Sequence, residues 1–343
     1  MLFPTKDEII DAVADCSNFL PHTLKGYKCT MGRYGPLYYP GGFCVVFKLF
    51  KQSSELALRV WYAEVENIRD RIKSLYEFFS SNKYSFIASF DFYEKGLRVP
   101  TRNGNVLLDI MTMDWVEGVD IKKYVKNTLL SQLPLDEKKW LLYSVAVKLV
   151  DVFSEMHKAK MSHGDLQHTN IIILSNGDPV LIDYDSMYFP GTVYKKHITS
   201  GYDEYQHPAR KESKEANEKT DYFSELIICL SLLAYGEDPS LWDRYAIDNL
   251  DFSMLFTKED FNDIESSPLF RELFLKSETL QILCNILKSY LREKNIDNIQ
   301  QPFVCYNGAL SIFRKYGNFC IECGKEFYSI VDVFCTNCGN KRV

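Results

Sequence analysis

The spacing of apolar positions changes character about a third of the way along the chain. Before that point, short runs rich in β-branched and aromatic residues predict four strands: 43–48 (FCVVFK), 55–61 (ELALRVW), 85–91 (SFIASFD) and 106–115 (VLLDIMTMDW). One long helical pattern, from about Ala63 to Phe79, interrupts them. After Gly118 apolar residues recur at three- and four-residue steps, most clearly in 135–158, where Trp140, Leu141, Val145, Leu149 and Phe153 follow the acidic start LDEKK. A second helix, TDYFSELIICLSLLAYG, is expected from residue 220 to a stop at Gly236. Between these helices, IIIL and PVLID are strand-like, and SNGD between them carries the Asn-Gly signature of a tight hairpin turn. Helical patterns continue to about residue 295, and NIDNIQQP at 295–302 reads as a linker.

Composition narrows the class. A chain of 343 residues suffices for roughly two folded units. Its 46% hydrophobic and 25% charged content excludes a mainly disordered protein. The net charge of -6 is spread without a long block of either sign, so neither nucleic acid nor a membrane is an expected partner. The start, MLFPTKDEIIDAVADC, lacks the basic opening and unbroken apolar run of a signal peptide. LIICLSLLA at 226–234 has about half the length that crosses a bilayer and reads as a buried helix. A cytoplasmic location is expected.

Ten cysteines would suggest disulfides, but four of them form two knuckles, Cys320-x2-Cys323 and Cys335-x2-Cys338, with 11 residues between. Paired knuckles let two tight turns face each other around a tetrahedral Zn²⁺, and a cytosolic chain keeps such thiols reduced. Each knuckle ends in Gly (CIECG, CTNCG), and the segment resembles a zinc ribbon. From Tyr316 on, Lys325, Lys341 and Arg342 balance Glu322, Glu326 and Asp332, so a protein contact suits this ribbon better than a nucleic-acid backbone.

The densest chemistry lies in MSHGDLQHTNIIIL (161–174) and SNGDPVLIDYD (175–185). Helix, polar loop, hairpin and then Asp-Tyr-Asp is a specific order, and it resembles the protein-kinase-like superfamily, where HxDxxxxN precedes a short hairpin and a metal-binding Asp. His163, Asp165 and Asn170 match that loop, and Asp183, 18 residues after Asp165, matches the metal-binding Asp. The resemblance implies Asp165 as the group that takes or orients the acceptor proton, Asn170 and Asp183 as ligands of Mg²⁺, and ATP as the donor. His163 by itself reads as a packing residue. Asp221, at the head of TDYFSELIICL, matches a buried Asp that tethers the loop backbone in kinases, and a simple helix cap is the alternative.

Upstream, PGGFCVVFK (40–48) resembles a shortened glycine-rich loop, with Gly41 and Gly42 against the phosphates. In Leu56-Ala57-Leu58-Arg59, Arg59 stands where kinases have the phosphate-gripping Lys. By kinase spacing its carboxylate partner is Glu77, with Glu64 and Glu66 as alternatives. Met113 would back the adenine pocket, and the backbones of Asp114 and Val116 would contact adenine. Gly164 replaces the usual Arg, Gln167 replaces a Lys, and Asp185 replaces the Gly of Asp-Phe-Gly; the first and last are forms similar to aminoglycoside and choline kinases. The expected architecture is therefore α+β and bilobal. It has a β-rich N-lobe with one helix (1–114), a helical C-lobe (115–300) and a zinc ribbon (316–343). The expected function is Mg-ATP-dependent phosphotransfer to a hydroxyl on a protein; a small-molecule kinase, a nucleotide-binding pseudokinase and a zinc-ribbon scaffold are the alternatives.

Overall fold

The structure, a computed structural model, describes residues 3–63, 65–199, 201–213 and 215–303. The knuckle cysteines Cys320, Cys323, Cys335 and Cys338 and the candidate Glu64 lie outside the described residues. The chain divides between Glu117 and Gly118 into two compact units.

The first unit opens with helix α1 (Lys6–Ala14), which the strand-and-helix periodicity had not marked. Its signal is a capping box: the Thr5 side chain accepts from the Glu8 amide while the Glu8 side chain accepts from the Thr5 amide. Ile9, Ala12 and Val13 are buried beneath it, so this unit has two helices where one was expected. Four short strands follow: β1 (Lys28–Cys29), β2 (Met31–Gly32), β3 (Gly35–Pro36) and β4 (Tyr38–Pro40). The long antiparallel strands are β5 (Cys44–Lys51), β6 (Ser54–Trp61), β7 (Phe90–Thr101) and β8 (Gly104–Asp114). They form a sheet in the order β1-β5-β6-β8-β7, with β4 also paired to β5. Alternate residues of β5 to β8, among them Val45, Phe47, Leu58, Val60, Leu97, Val99 and Ile110, close the core with Ile9 and Val13.

Two expectations shift here. The strand read at 85–91 lies instead at 90–101, and the helix read from Ala63 is α2 (Ile68–Ser81), its start delayed by Asn67 in the left-handed conformation at φ 58°. Ile72, Leu75 and Phe79 are the buried apolar residues of α2, and the Phe79 and Phe90 rings meet edge-on at 6.0 Å.

The second unit begins with β9 (Gly118–Asp120), then α3 (Ile121–Leu130) and α4 (Leu135–Lys158). The expected hairpin forms from β10 (Ile171–Leu174) and β11 (Pro179–Leu181), with Ile171 opposite Leu181, and β9 adds a third strand beside β10. Helix α5 (Tyr222–Glu237) is buried from Tyr222 to Gly236, which accounts for its apolar sequence, and it packs on α4. Shorter helices complete the unit: α6 (Leu241–Arg244), α7 (Lys258–Asn262), α8 (Pro268–Lys276) and α9 (Glu278–Arg292). Among the described residues no helix is long and apolar enough to cross a membrane.

Candidate functional site

The loop after α4 is suspended from both sides. The Ser162 amide donates to the Tyr188 carbonyl at 3.0 Å, and the Tyr188 amide returns the bond at 2.9 Å. The next two amides, of His163 and Gly164, both donate to the Asp221 carboxylate at the head of α5. Asp221 is fully buried and makes no cap bond to its own helix, so it acts as a tether for the loop, not as a helix cap. Two buried N–H groups thereby find a charged acceptor, which is the strong form of such a bond. The Gly164 backbone is left-handed at φ 79°, and a Cβ there would overlap the Ser186 carbonyl. Only glycine fits this crossing. His163 is fully buried and donates from Nε2 to the Ile182 carbonyl at 2.8 Å, joining the loop to the residue before Asp183. That is a packing role, as its residue type suggested.

Asp165, Asn170 and Asp183 converge on the same region of this unit. The Asn170 Nδ2 donates to the Asp165 carbonyl at 2.8 Å, and the Asn170 carbonyl accepts from the Ile182 amide at 3.0 Å. Asp183 is left-handed at φ 69°, a conformation that Asp tolerates better than most residues and that turns the chain sharply off β11. Burial pushes the Asp165 carboxyl up to about 6; the neighbouring Asp183 carboxylate adds to this, and His163 and Arg210 oppose it. Its Oδ1 is buried without a hydrogen-bond partner, an open acceptor beside Gly201.

The donor set suits Mg²⁺. Asn170 directs its amide nitrogen to the Asp165 carbonyl; its hard oxygen Oδ1 accepts one bond, from the Thr169 hydroxyl at 3.3 Å, and has a second lone pair, and Asp183 supplies a carboxylate. Among the described residues no group of three or more His, Cys, Asp and Glu side chains could hold a metal, so these residues would form a sparse site that takes its remaining ligands from phosphate and water, as Mg²⁺ prefers.

Arg210 is a neighbour of the loop that the sequence did not single out. It is buried at 5% exposure; one guanidinium nitrogen donates to the Gly164 carbonyl and another to the Gln206 side-chain oxygen. HGD lacks the cation that kinases carry after the histidine, and Arg210 brings one to the same residue from 46 positions on.

In the first unit, Gly41-Gly42-Phe43 is the turn between β4 and β5. The Tyr62 hydroxyl donates to the carbonyls of Gly41 at 2.7 Å and Gly42 at 2.9 Å, and a Cβ on Gly42 would meet open space. Arg59 lies on β6 opposite Val46 and Met111, half-buried, with its guanidinium 5.8 Å from the centre of the Trp61 ring. Glu77, the expected partner of Arg59, is on the exposed face of α2, from which its charge acts on Lys73. The kinase spacing fails because α2 starts late and presents Ile72, Leu75 and Phe79 inward. Glu66 is also exposed. Met113 sits opposite Ala57 and Phe90 near the end of β8. The Asp114 amide donates to the Ser89 carbonyl at 2.8 Å, and Val116 follows two residues on.

No curated protein matches this chain. Residues 87–202, about a third of the sequence, match the family model of the ABC1 atypical kinase-like domain. The matched span holds Asp114, Val116, Asp165, Asn170 and Asp183 and leaves out Gly41, Gly42, Arg59, Glu77 and Asp221. It supports a kinase-like domain, for which ATP and Mg²⁺ are the implied cofactors, in a phosphotransferase or a pseudokinase.

Proposed function

We propose that the chain is a Mg-ATP-dependent phosphotransferase that moves the γ-phosphoryl group of ATP to a hydroxyl. The observation that carries this reading is the convergence of an open, buried carboxylate oxygen on Asp165 with the oxygen donors Asn170 and Asp183. The acceptor oxygen bonds to the γ-phosphorus as the bond to the β-phosphate oxygen breaks, ADP leaves, and the acceptor proton passes to Asp165. Asn170 and Asp183 would hold Mg²⁺, which when bound would offset the charge of the phosphates. Gly41, Gly42 and Arg59 would contact the phosphates, and the main chain of Asp114 and Val116 the adenine.

A test is nucleotide binding with and without Mg²⁺, on the wild type and on Asp183→Ala, followed by mass analysis of phosphoryl transfer. Metal-dependent binding that disappears in the variant is the expected result; no binding in either overturns the reading. A pseudokinase is the second reading, favoured by Arg59 in place of Lys and by Gln167, whose side-chain oxygen is buried without a partner where a cation would steady the moving phosphoryl group. Metal-dependent binding without any transfer selects it. From the sequence, Cys320, Cys323, Cys335 and Cys338 are proposed to hold one Zn²⁺, to be measured as metal per chain before and after Cys320→Ser and Cys335→Ser.

A further inference from the structure

Beside the 163–170 loop the second unit contains a cavity of about 530 Å³, within the range of small-molecule sites. Its lining includes Gln206, Arg210, Lys211, Lys258 and Asp203. Lys211 pairs with Asp203 at 2.9 Å, which leaves Arg210 and Lys258 in excess of the acidic charge named here. His207, also in the wall, is occupied at both ring nitrogens, with the Tyr290 carbonyl and the Ala209 amide, and adds no open donor.

Two nine-tenths-buried side chains in this wall have donors without partners: Nε of Arg210 and Nε2 of Gln206, each residue at 5% exposure. No carboxylate forms an ion pair with Arg210 among the described residues; only the charges of Asp165 and Asp221 act on it from a distance. A buried guanidinium with an idle N–H is costly unless an anion completes it. The same two residues reach the loop. Arg210 donates to the Gly164 carbonyl, and Gln206 Nε2 and Asp165 Oδ1 lie 2.8 and 2.9 Å from the position a Cβ on Gly201 would take.

We infer that this cavity binds an oxyanion of phosphate size, and that it selects an acceptor carrying both a hydroxyl and a phosphate group, a phosphorylated small molecule. This rests on the phosphotransferase reading for the word acceptor, but not for the anion site. Arg210 offers the phosphate its idle Nε–H and its charge, Lys258 adds charge, and Gln206 places the hydroxyl-bearing end toward Asp165.

The experiment uses the full chain and inorganic phosphate as the probe, titrated by calorimetry at constant ionic strength against chloride, with and without saturating Mg-ATP analogue. Phosphate is expected to bind both ways, and at least about tenfold more weakly in Arg210→Gln and in the double variant Lys211→Ala, Lys258→Ala. The double variant changes side chains outside the buried bonds to the loop and so keeps the test valid if Arg210→Gln fails to fold. Equal phosphate binding in wild type and double variant overturns the inference, as does phosphate binding abolished by the nucleotide analogue. Phosphate binding that survives in a chain with no Mg-ATP binding overturns the phosphotransferase reading and keeps the anion site.

Discussion

Gly164 shows how little freedom the loop has. Its φ of 79° already disfavours a side chain, and a Cβ would also run into the Ser186 carbonyl, so Gly164→Ala is expected to destabilise the protein by about 2–4 kcal/mol in urea unfolding. A loss under about 0.5 kcal/mol would show that the crossing is softer than drawn. Asp165→Asn keeps the shape and removes the charge. Phosphotransfer is expected to fall by about 10²- to 10⁴-fold while Mg-ATP binding persists. Burial raises the Asp165 carboxyl to about 6, so above that pH the folded state holds an ion it disfavours relative to the unfolded chain. Asp165→Asn should then gain roughly 1–2 kcal/mol at pH 8, discounted for partial exposure. His168 carries the opposite sign. It is buried with Nδ1 2.8 Å from the Tyr205 hydroxyl, and burial lowers it from 6.5 to about 4. As the pH falls through 6.5 the unfolded chain takes the proton first. Stability present above 6.5 therefore drains away down to about pH 4, by as much as about 3 kcal/mol. His168→Gln should flatten that slope in urea titrations at stepped pH, and an unchanged slope would assign it to other groups.

At the scale of elements, the head of α5 is the anchor of the site. Asp221→Ala leaves the His163 and Gly164 amides buried without an acceptor, a loss of about 2–4 kcal/mol, and Asp221→Asn falls between because its amide oxygen still accepts one bond. Activity should decline in the same order, and full activity in Asp221→Ala would mean the loop holds itself. How far such elements were legible follows from their local signals. The 24 residues of α4 repeat their apolar positions over more than six turns, so both ends were readable. The hairpin β10-β11 was equally plain, because Asn176-Gly177 sits between two apolar runs. Strand β7 was misplaced because Glu94-Lys95-Gly96 reads as a turn; in the fold Lys95 has φ 53° and the register shifts between Tyr93 and Leu97, a bulge inside one strand. Sequence spacing could put Asp165, Asn170 and Asp183 in one region because they lie within 19 residues of each other. It did not show that Glu77 falls on the exposed face of α2 or that Arg210 reaches the loop, since these depend on helix phase and on a chain return that no local pattern encodes.

For the molecule as a whole, ligand binding is also a statement about stability. A nucleotide that binds only the folded chain adds RT ln(1 + [L]/Kd), about 2.7 kcal/mol at one hundred times Kd, which for a chain of 343 residues means a rise in Tm of a few degrees. If Asn170 and Asp183 hold Mg²⁺ as proposed, two oxygen-bearing side chains make a weak site by themselves, so neither Mg²⁺ alone nor ATP alone should give much of that rise. Thermal unfolding should thus shift with Mg-ATP, return to the apo value with EDTA, and stay unshifted in Asp183→Ala. A Tm that rises equally with ATP in EDTA would place the binding energy in contacts such as Arg59 and the main chain at Asp114 and Val116. In that case the protein holds nucleotide without the metal that phosphoryl transfer needs, and the pseudokinase reading takes precedence.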